Sequence, residues 1–471
     1  MKKFKFISYF TFATVGFLTI ALVSCEREFS EDITLATFPT IPEVFTDNPV
    51  NLTDEFFISF DPADGANVNG FDTDSDAYKG TQAIKIDVPA PNDPDGGFIG
   101  GIFLDRGEGR NLTEYTALTF WAKGSTTASV GLFGFGTDFI ADKYAVSINE
   151  TTLSTAWKKY IIPIPDPSKL VQEKGMFIFS AGTESTGDLG YSIWIDEIRF
   201  EKLNTFAQAR TSILGGVDAT RQVYNGKLVI DGVQQTVNLG DGSDVTINIA
   251  PGYLKFHSSD PTVVQIDDQG EITVIAAGSA TITASFNGVE AKGSLTIESK
   301  GEFIPAPIPT QDAANVISIF SDEYTNVNID FYNGYWQPWQ TTTSADFEVS
   351  GDNVLSYENF NFVGHQFSNP TVNALAMTHL HMDVLIPSTL PSNARLIVTI
   401  KDFGANNADG GGDDRTQRIT LTTSQLKGNE WASIDIPLTL SQRERVGQFI
   451  FENGGSAVTK FYMDNVYFYK Q

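Results

Sequence analysis

Hydrophobic residues in this chain come in short runs that either alternate with polar residues or stay apolar, and each run stops at Gly, Asp, Asn or Pro. "ALTFWAKG" (117–124), "KKYIIPIP" (158–165), "MFIFSAG" (176–182) and "SIWIDEIRF" (192–200) show the pattern. The three-and-four spacing of an amphipathic helix is almost absent. Short strands with turn residues between them predict β-sandwiches. Two stretches break the pattern. "FTFATVGFLTIALV" (10–23) is continuously apolar, follows Lys2, Lys3 and Lys5, and is too short for a comfortable membrane span, so it reads as a signal-peptide core. "FYNGYWQPWQ" (331–340) sets five aromatic rings among Asn, Gln, Gly and Pro. It is too polar and too broken to bury them all.

The strands recur in order. "STAWKKYIIPIP" (154–165) matches "GNEWASIDIP" (428–437), "GMFIFSAG" (175–182) matches "GQFIFENG" (447–454), and "YSIWIDEIRFEK" (191–202) matches "TKFYMDNVYFYK" (459–470). "LTDEFFISFD" (52–61) loosely matches "FSDEYTNVNIDF" (320–331). Two homologous sandwiches are therefore expected at 47–202 and 313–471, around a different unit at 203–300. Residues 25–46 read as an acidic spacer and the Pro-rich 301–312 as a semi-rigid linker. The expected fold class is all-β, with three β-sandwich domains in a row.

Charge narrows the partner. A formal net charge of −27 argues against nucleic acid and against electrostatic adhesion to anionic lipid. A neutral partner suits it. Cys25 is the only cysteine, and an exported chain with one thiol has no disulfide to form. "ALVSC" (21–25) resembles a bacterial lipobox, which implies removal of residues 1–24, lipidation of Cys25 and a tether to the cell outer membrane.

Two further resemblances carry fold and function. "FHSSDPTVVQIDDQGEITVIAAGSATITASFNG" (256–288) resembles bacterial Ig-like domains of group 2, which implies a stiff spacer. "NVISIFSDEYTNVNIDFYNGYWQPW", "VLSYENFNFVGHQF" and "MTHLHMDV" resemble jelly-roll carbohydrate-binding modules attached to flavobacterial laminarinases. The whole chain is similar to surface glycan-binding lipoproteins of Bacteroidota polysaccharide-utilisation systems. That resemblance implies capture of a β-1,3-glucan such as laminarin, no catalysis, an outer-facing location and a neighbouring SusC/SusD-like transporter.

The residue chemistry supports a saccharide partner independently. A pyranose has an apolar C–H face that a flat ring can cover and a rim of hydroxyls that amides and carboxylates can hold. Trp336, Trp339, Tyr332 and Tyr335 supply rings beside Gln337. His365, Gln366, Asp402 and Arg415 are weaker candidates for the same groove, and Pro338 predicts extended backbone between the indoles. In the first sandwich, Phe98, Phe103, Asp105 and Arg106 are the candidates, with Phe133, Phe135 and Phe139 equally well core. Trp121, Trp157, Trp194 and Trp431 sit in regular strands and are read as packing.

Asp196 and Asp464 hold equivalent places on otherwise apolar strands, and each needs a partner for its charge. By resemblance that partner is a structural Ca²⁺, shared with Asp54 and Glu55 or with Asp74 and Asp76 in the first module, and with Asp322 and Glu323 in the last. A backbone-bonded aspartate is the alternative. "HLHMD" (379–383) places His379, His381 and Asp383 on one strand face without a metal expected. The rival functions are a glycoside hydrolase and an adhesin or spacer. A hydrolase needs a carboxylate pair across a groove. The nearest acidic strand, "WIDEIRFE", replaces Glu197 by Asn465 in its duplicate.

Overall fold

The computed structural model describes residues 37–52, 57–138, 143–203, 206–345 and 347–471. It is all-β: among these residues the only helical elements are short 3-10 turns. Among the described residues the chain forms two compact units, 37–209 with 235–253, and 210–234 with 254–471.

In the first unit, one sheet contains Lys158–Pro163, Ala117–Gly124, Tyr191–Glu201 and Ala83–Val88. A second sheet contains Val146–Thr152, Ser129–Phe135, Gly175–Ala181 and Ile99–Leu104 side by side. The alternating apolar positions meet between the sheets, where Phe103, Phe120, Phe133, Phe135, Phe177, Phe179 and Phe200 are buried. Residues 235–253, expected in the middle unit, belong here. Strand Asp244–Ile249 extends the second sheet by pairing Asn248 with Ser147 and Ile249 with Val146. Nothing in its composition distinguishes it from a strand of the neighbouring sandwich.

The second unit begins with the Ig-like part. Gly278–Phe286 lies between Ser294–Ser299 and Lys255–Ser258, and Asp218–Val223 runs parallel to Ser294–Ser299. The C-terminal sandwich follows. One sheet is built around Phe461–Tyr469, flanked by His379–Leu385, Leu355–Glu358 and Val316–Phe320. The other runs Phe362–Gln366, Val446–Glu452, Arg395–Asp402, Arg415–Thr422. Leu396, Val398 and Ile400 alternate inward on one strand and Phe449 and Phe451 on its neighbour, meeting Leu380, Met382, Phe461 and Phe468 from the opposite sheet. Period-two alternation thus leaves a second, outward set of side chains on each sheet.

Candidate functional site

The outward face of the four-stranded C-terminal sheet is the strongest candidate. Strand register sets its side chains in rows. Phe362 stands opposite Glu452, then Ile397 and Thr420; Gly364 stands opposite Ile450, then Thr399 and Arg418; Gln366 stands opposite Gln448, then Lys401 and Thr416. The rows mix flat apolar surface with amide, hydroxyl and charged groups, which is what a saccharide needs. None of these positions except Gln366 stood out in the sequence. Their role depends on register, which only the folded sheet reveals.

The 331–340 loop lies along one edge of this face. Trp336 is half-buried: its indole rests on Gly364, where any Cβ would collide with it, and its ring lies 6.1 Å from Phe362 at 30°. Trp339 is 73% and Tyr335 53% exposed. The polar residues between them hold the loop. Gln340 Nε2 donates to Asn333 Oδ1 (2.5 Å), Trp336 N–H to Gln340 Oε1 (3.1 Å), and Tyr335 N–H to Asn333 Oδ1 (3.0 Å). The loop that carries the rings is therefore shaped before any ligand arrives, which lowers the entropy cost of binding. Backbone between the indoles is a turn containing a cis Gln337–Pro338 bond, not the extended segment expected. Gln337 is exposed on that turn and reaches Gln340 O at 3.4 Å.

Several expected groove residues are structural instead. His365 is 0% exposed, since alternation turns it into the core beneath Gly364; its Nε2 lies 2.7 Å from Tyr357 Oη, and burial pushes its pKa down to about 3. Tyr332 packs edge-on against His365 and Phe320, donates to Ile319 O at 2.8 Å, and is pushed up to about 12 by burial. Asp402 is buried, accepting N–H bonds from Gly404 (2.9 Å) and Arg445 (2.7 Å) to shape the loop after its strand. Gln366 stays on the outward face, half-buried, its amide donating to Ser368 Oγ at 3.0 Å. Arg415 is exposed, but its guanidinium turns back to Asp413 O and Asp414 O.

The first module differs. Phe103 is core, and Asp105 is fully buried in a 2.7 Å ion pair with fully buried Arg110. Arg110 also donates to Ile41 O, Glu43 O and Val50 O, so the pair locks the first strand in place. Arg106 Nε donates to Leu52 O, and Phe98 is half-buried at a bridge to Ala66. Phe133 and Phe135 are core; Phe139 lies outside the described residues. The outward face equivalent to the C-terminal groove is apolar: Ile102, Leu104 and Ile178 pack with Ile58, Phe60 and Leu132.

Of the expected calcium ligands, Asp196 accepts backbone N–H bonds from Tyr78 (2.9 Å), Lys79 (3.0 Å) and Glu197 (2.7 Å), which satisfies a buried carboxylate without an ion. Asp74 accepts from Asp76 N–H (3.0 Å) and Trp194 Nε1 (3.3 Å), and these bonds lower its pKa. Asp464 accepts from Asn465 N–H, and Asp322 from Asn353 Nδ2 (3.2 Å). Burial, with Asp352, Asp322 and Asp383 nearby, pushes Asp464 up to about 7. Among the described residues no group of three or more His, Cys, Asp or Glu side chains is placed to hold a metal ion. Asp54, Glu55 and Cys25 lie outside the described residues.

Residues 46–202 match the family model for carbohydrate binding domain 30. Similar solved structures include a family 30 carbohydrate-binding module of a cellulosomal cellulase of Clostridium thermocellum, 17% identical, covering 35% of this chain and 98% of that one, with a TM-score of 0.24. The N-terminal tandem of family 22 modules from Paenibacillus barcinonensis is 9% identical and covers 93% of this chain and 100% of that one, TM-score 0.23. A beta-1,2-glucanase from Parabacteroides distasonis is 12% identical and covers 57% of this chain and 40% of that one, TM-score 0.26. No curated protein matches the chain. The first unit thus carries a carbohydrate-binding module, on a fold that the C-terminal sandwich repeats.

Proposed function

We propose that this chain is a non-catalytic, lipid-anchored surface protein that captures a β-glucan, with β-1,3-linked laminarin as the first ligand to test. One observation supports this most: two exposed rings, Trp339 and Tyr335, stand on a hydrogen-bonded loop beside a sheet face that mixes ring, amide and hydroxyl surface. Carboxylates on that face are engaged in ion pairs, Glu452 with Arg418 (3.0 Å) and Asp414 with Lys401 (2.9 Å), an arrangement suited to holding a polymer more than to cleaving one. Captured chains would pass to hydrolases and a SusC/SusD-like transporter beside it. The test is retardation in native gels containing laminarin, mixed-linkage β-glucan or β-1,4-glucan, run with an assay for reducing-sugar release. Retardation by a β-glucan without sugar release is the expected result. Free migration in every gel refutes capture, and sugar release refutes the non-catalytic reading.

Calcium is a separate proposal. Asp322 and Asp464 are the carboxylates that would approach an ion in the C-terminal module, and the charge of Asp322 helps to raise the pKa of Asp464. A melting temperature lowered by EDTA and restored by Ca²⁺ is expected; indifference to EDTA ends the proposal.

A further inference from the structure

The first module carries a second aromatic surface, on the outward face of its other sheet. Trp121 and Lys123 point outward from Ala117–Gly124, and Lys123 stands opposite Trp194 on the neighbouring strand. The Tyr78 ring, 41% exposed, lies flat on Trp121 at 3.7 Å and 11°, and meets Trp157 edge-on at 6.1 Å. The Lys123 ammonium stands 5.2 Å from the Trp157 ring and 5.0 Å from the Trp194 ring, tied to Asp76 at 2.5 Å. Asp196, through the N–H groups of Tyr78 and Lys79, anchors the loop that brings Tyr78 here. Four rings are thus fixed, with charged and hydrogen-bonding groups between them.

The duplicate shows what this face becomes when polypeptide covers it. In the C-terminal module Leu385 stands opposite Tyr462, as Lys123 stands opposite Trp194, and Trp431 opens its strand where Trp157 immediately precedes the matching one. There Phe303 packs edge-on against Trp431 (6.2 Å) and Tyr462 (6.0 Å), and Trp431 Nε1 donates to Ile304 O (2.7 Å). Under that covering the central residue is leucine. In the first module it is a largely buried lysine paired with the half-exposed carboxylate of Asp76, which a protein partner would strip of water. A ligand carrying hydroxyls around an apolar face leaves such a pair hydrated or hydrogen-bonded.

We propose that this face is a second saccharide-binding surface, with Tyr78 and Trp157 as ring platforms and Asp76 and Lys123 as hydroxyl partners. It rests on the carbohydrate-binding reading above but lies on the other module, on the sheet that does not correspond to the one bearing the C-terminal groove. The test compares retardation of the full chain and its variants in laminarin and mixed-linkage β-glucan gels. The groove variant is Tyr335→Ala with Trp339→Ala; the face variant is Tyr78→Ala. Trp157→Phe, which keeps an aromatic body in place, guards against misfolding, and circular dichroism checks each variant. The groove variant should keep residual retardation, and adding Tyr78→Ala should weaken that remainder about 3- to 10-fold. A groove variant already migrating freely, or one that Tyr78→Ala does not weaken further, overturns this proposal and leaves the groove standing. A wild-type chain retarded by no glucan overturns both. Unchanged retardation with altered sedimentation in the face variant marks a protein contact and likewise overturns it.

Discussion

Replacing Trp339 by Ala isolates the proposed saccharide contact from the fold. The indole is 73% exposed and only its carbonyl is tied down, by Asn361 Nδ2 at 2.8 Å, a bond that any residue at 339 can keep. Truncation should therefore leave the melting temperature nearly unchanged. One pyranose stacked on the indole removes roughly 50 Å² of apolar surface from water, and at ~25 cal/mol per Å² this contributes about 1.3 kcal/mol. That corresponds to about a tenfold loss of affinity. Trp336→Ala should lose at least as much, but it also strips the cover from Gly364 and Phe362, so its effect is read only beside a measured stability. Isothermal titration with laminarin oligosaccharides gives the dissociation constants directly. Unchanged affinity in both variants, with intact circular dichroism, would refute the claim that these rings are platforms.

Four other outcomes follow from the geometry. Arg110→Met leaves Asp105 buried and unpaired, so urea unfolding should show the first unit losing about 3–5 kcal/mol, while the Trp339-dependent affinity of the C-terminal groove stays as it was. His365 is held neutral to about pH 3 in the folded state, so its penalty grows as pH falls from 6.5; His365→Phe should flatten the acid side of the C-terminal melting profile. Asp464 binds its proton more tightly folded than unfolded. Its contribution is full in acid and lost as pH rises from about 4 to about 7, amounting to ~4 kcal/mol that Asp464→Asn should remove from the profile. Gly364→Ala should displace the Trp336 indole and weaken laminarin binding, a change visible as a red shift in tryptophan fluorescence.

The strands, the duplication and the exposed rings were legible in the chain because each is local: alternation, a repeated Trp-to-Ile-Pro strand, and aromatics in a segment too polar to bury. His365, Asp402 and Asp105 were misjudged for one shared reason. A polar residue in a loop-rich stretch looks like a surface group until its partner is known, and sequence does not show which neighbour turns inward with it: Tyr357 eight residues before His365, Arg110 five residues after Asp105 and bonded to the 41–50 segment, and Arg445, 43 residues from Asp402, just before the next strand. The outward rows were hidden for the opposite reason. Thr399, Lys401 and Ile450 are ordinary strand residues until register sets them beside Gly364 and Gln366. The reading of Trp121 and Trp194 as packing follows from strands usually turning tryptophan inward; here alternation gives that side to Phe120 and Ile195.

Gly364 has a counterpart in the first module. Through the shared Phe-Ile-Phe strand, Gly364 opposite Ile450 answers to Ile102 opposite Ile178. Where one copy left bare backbone as a seat for an indole, the other grew a branched side chain that fills the seat. The branched side chain at this one position denies the first module a platform like that of Trp336, so the two copies present different surfaces on corresponding sheets.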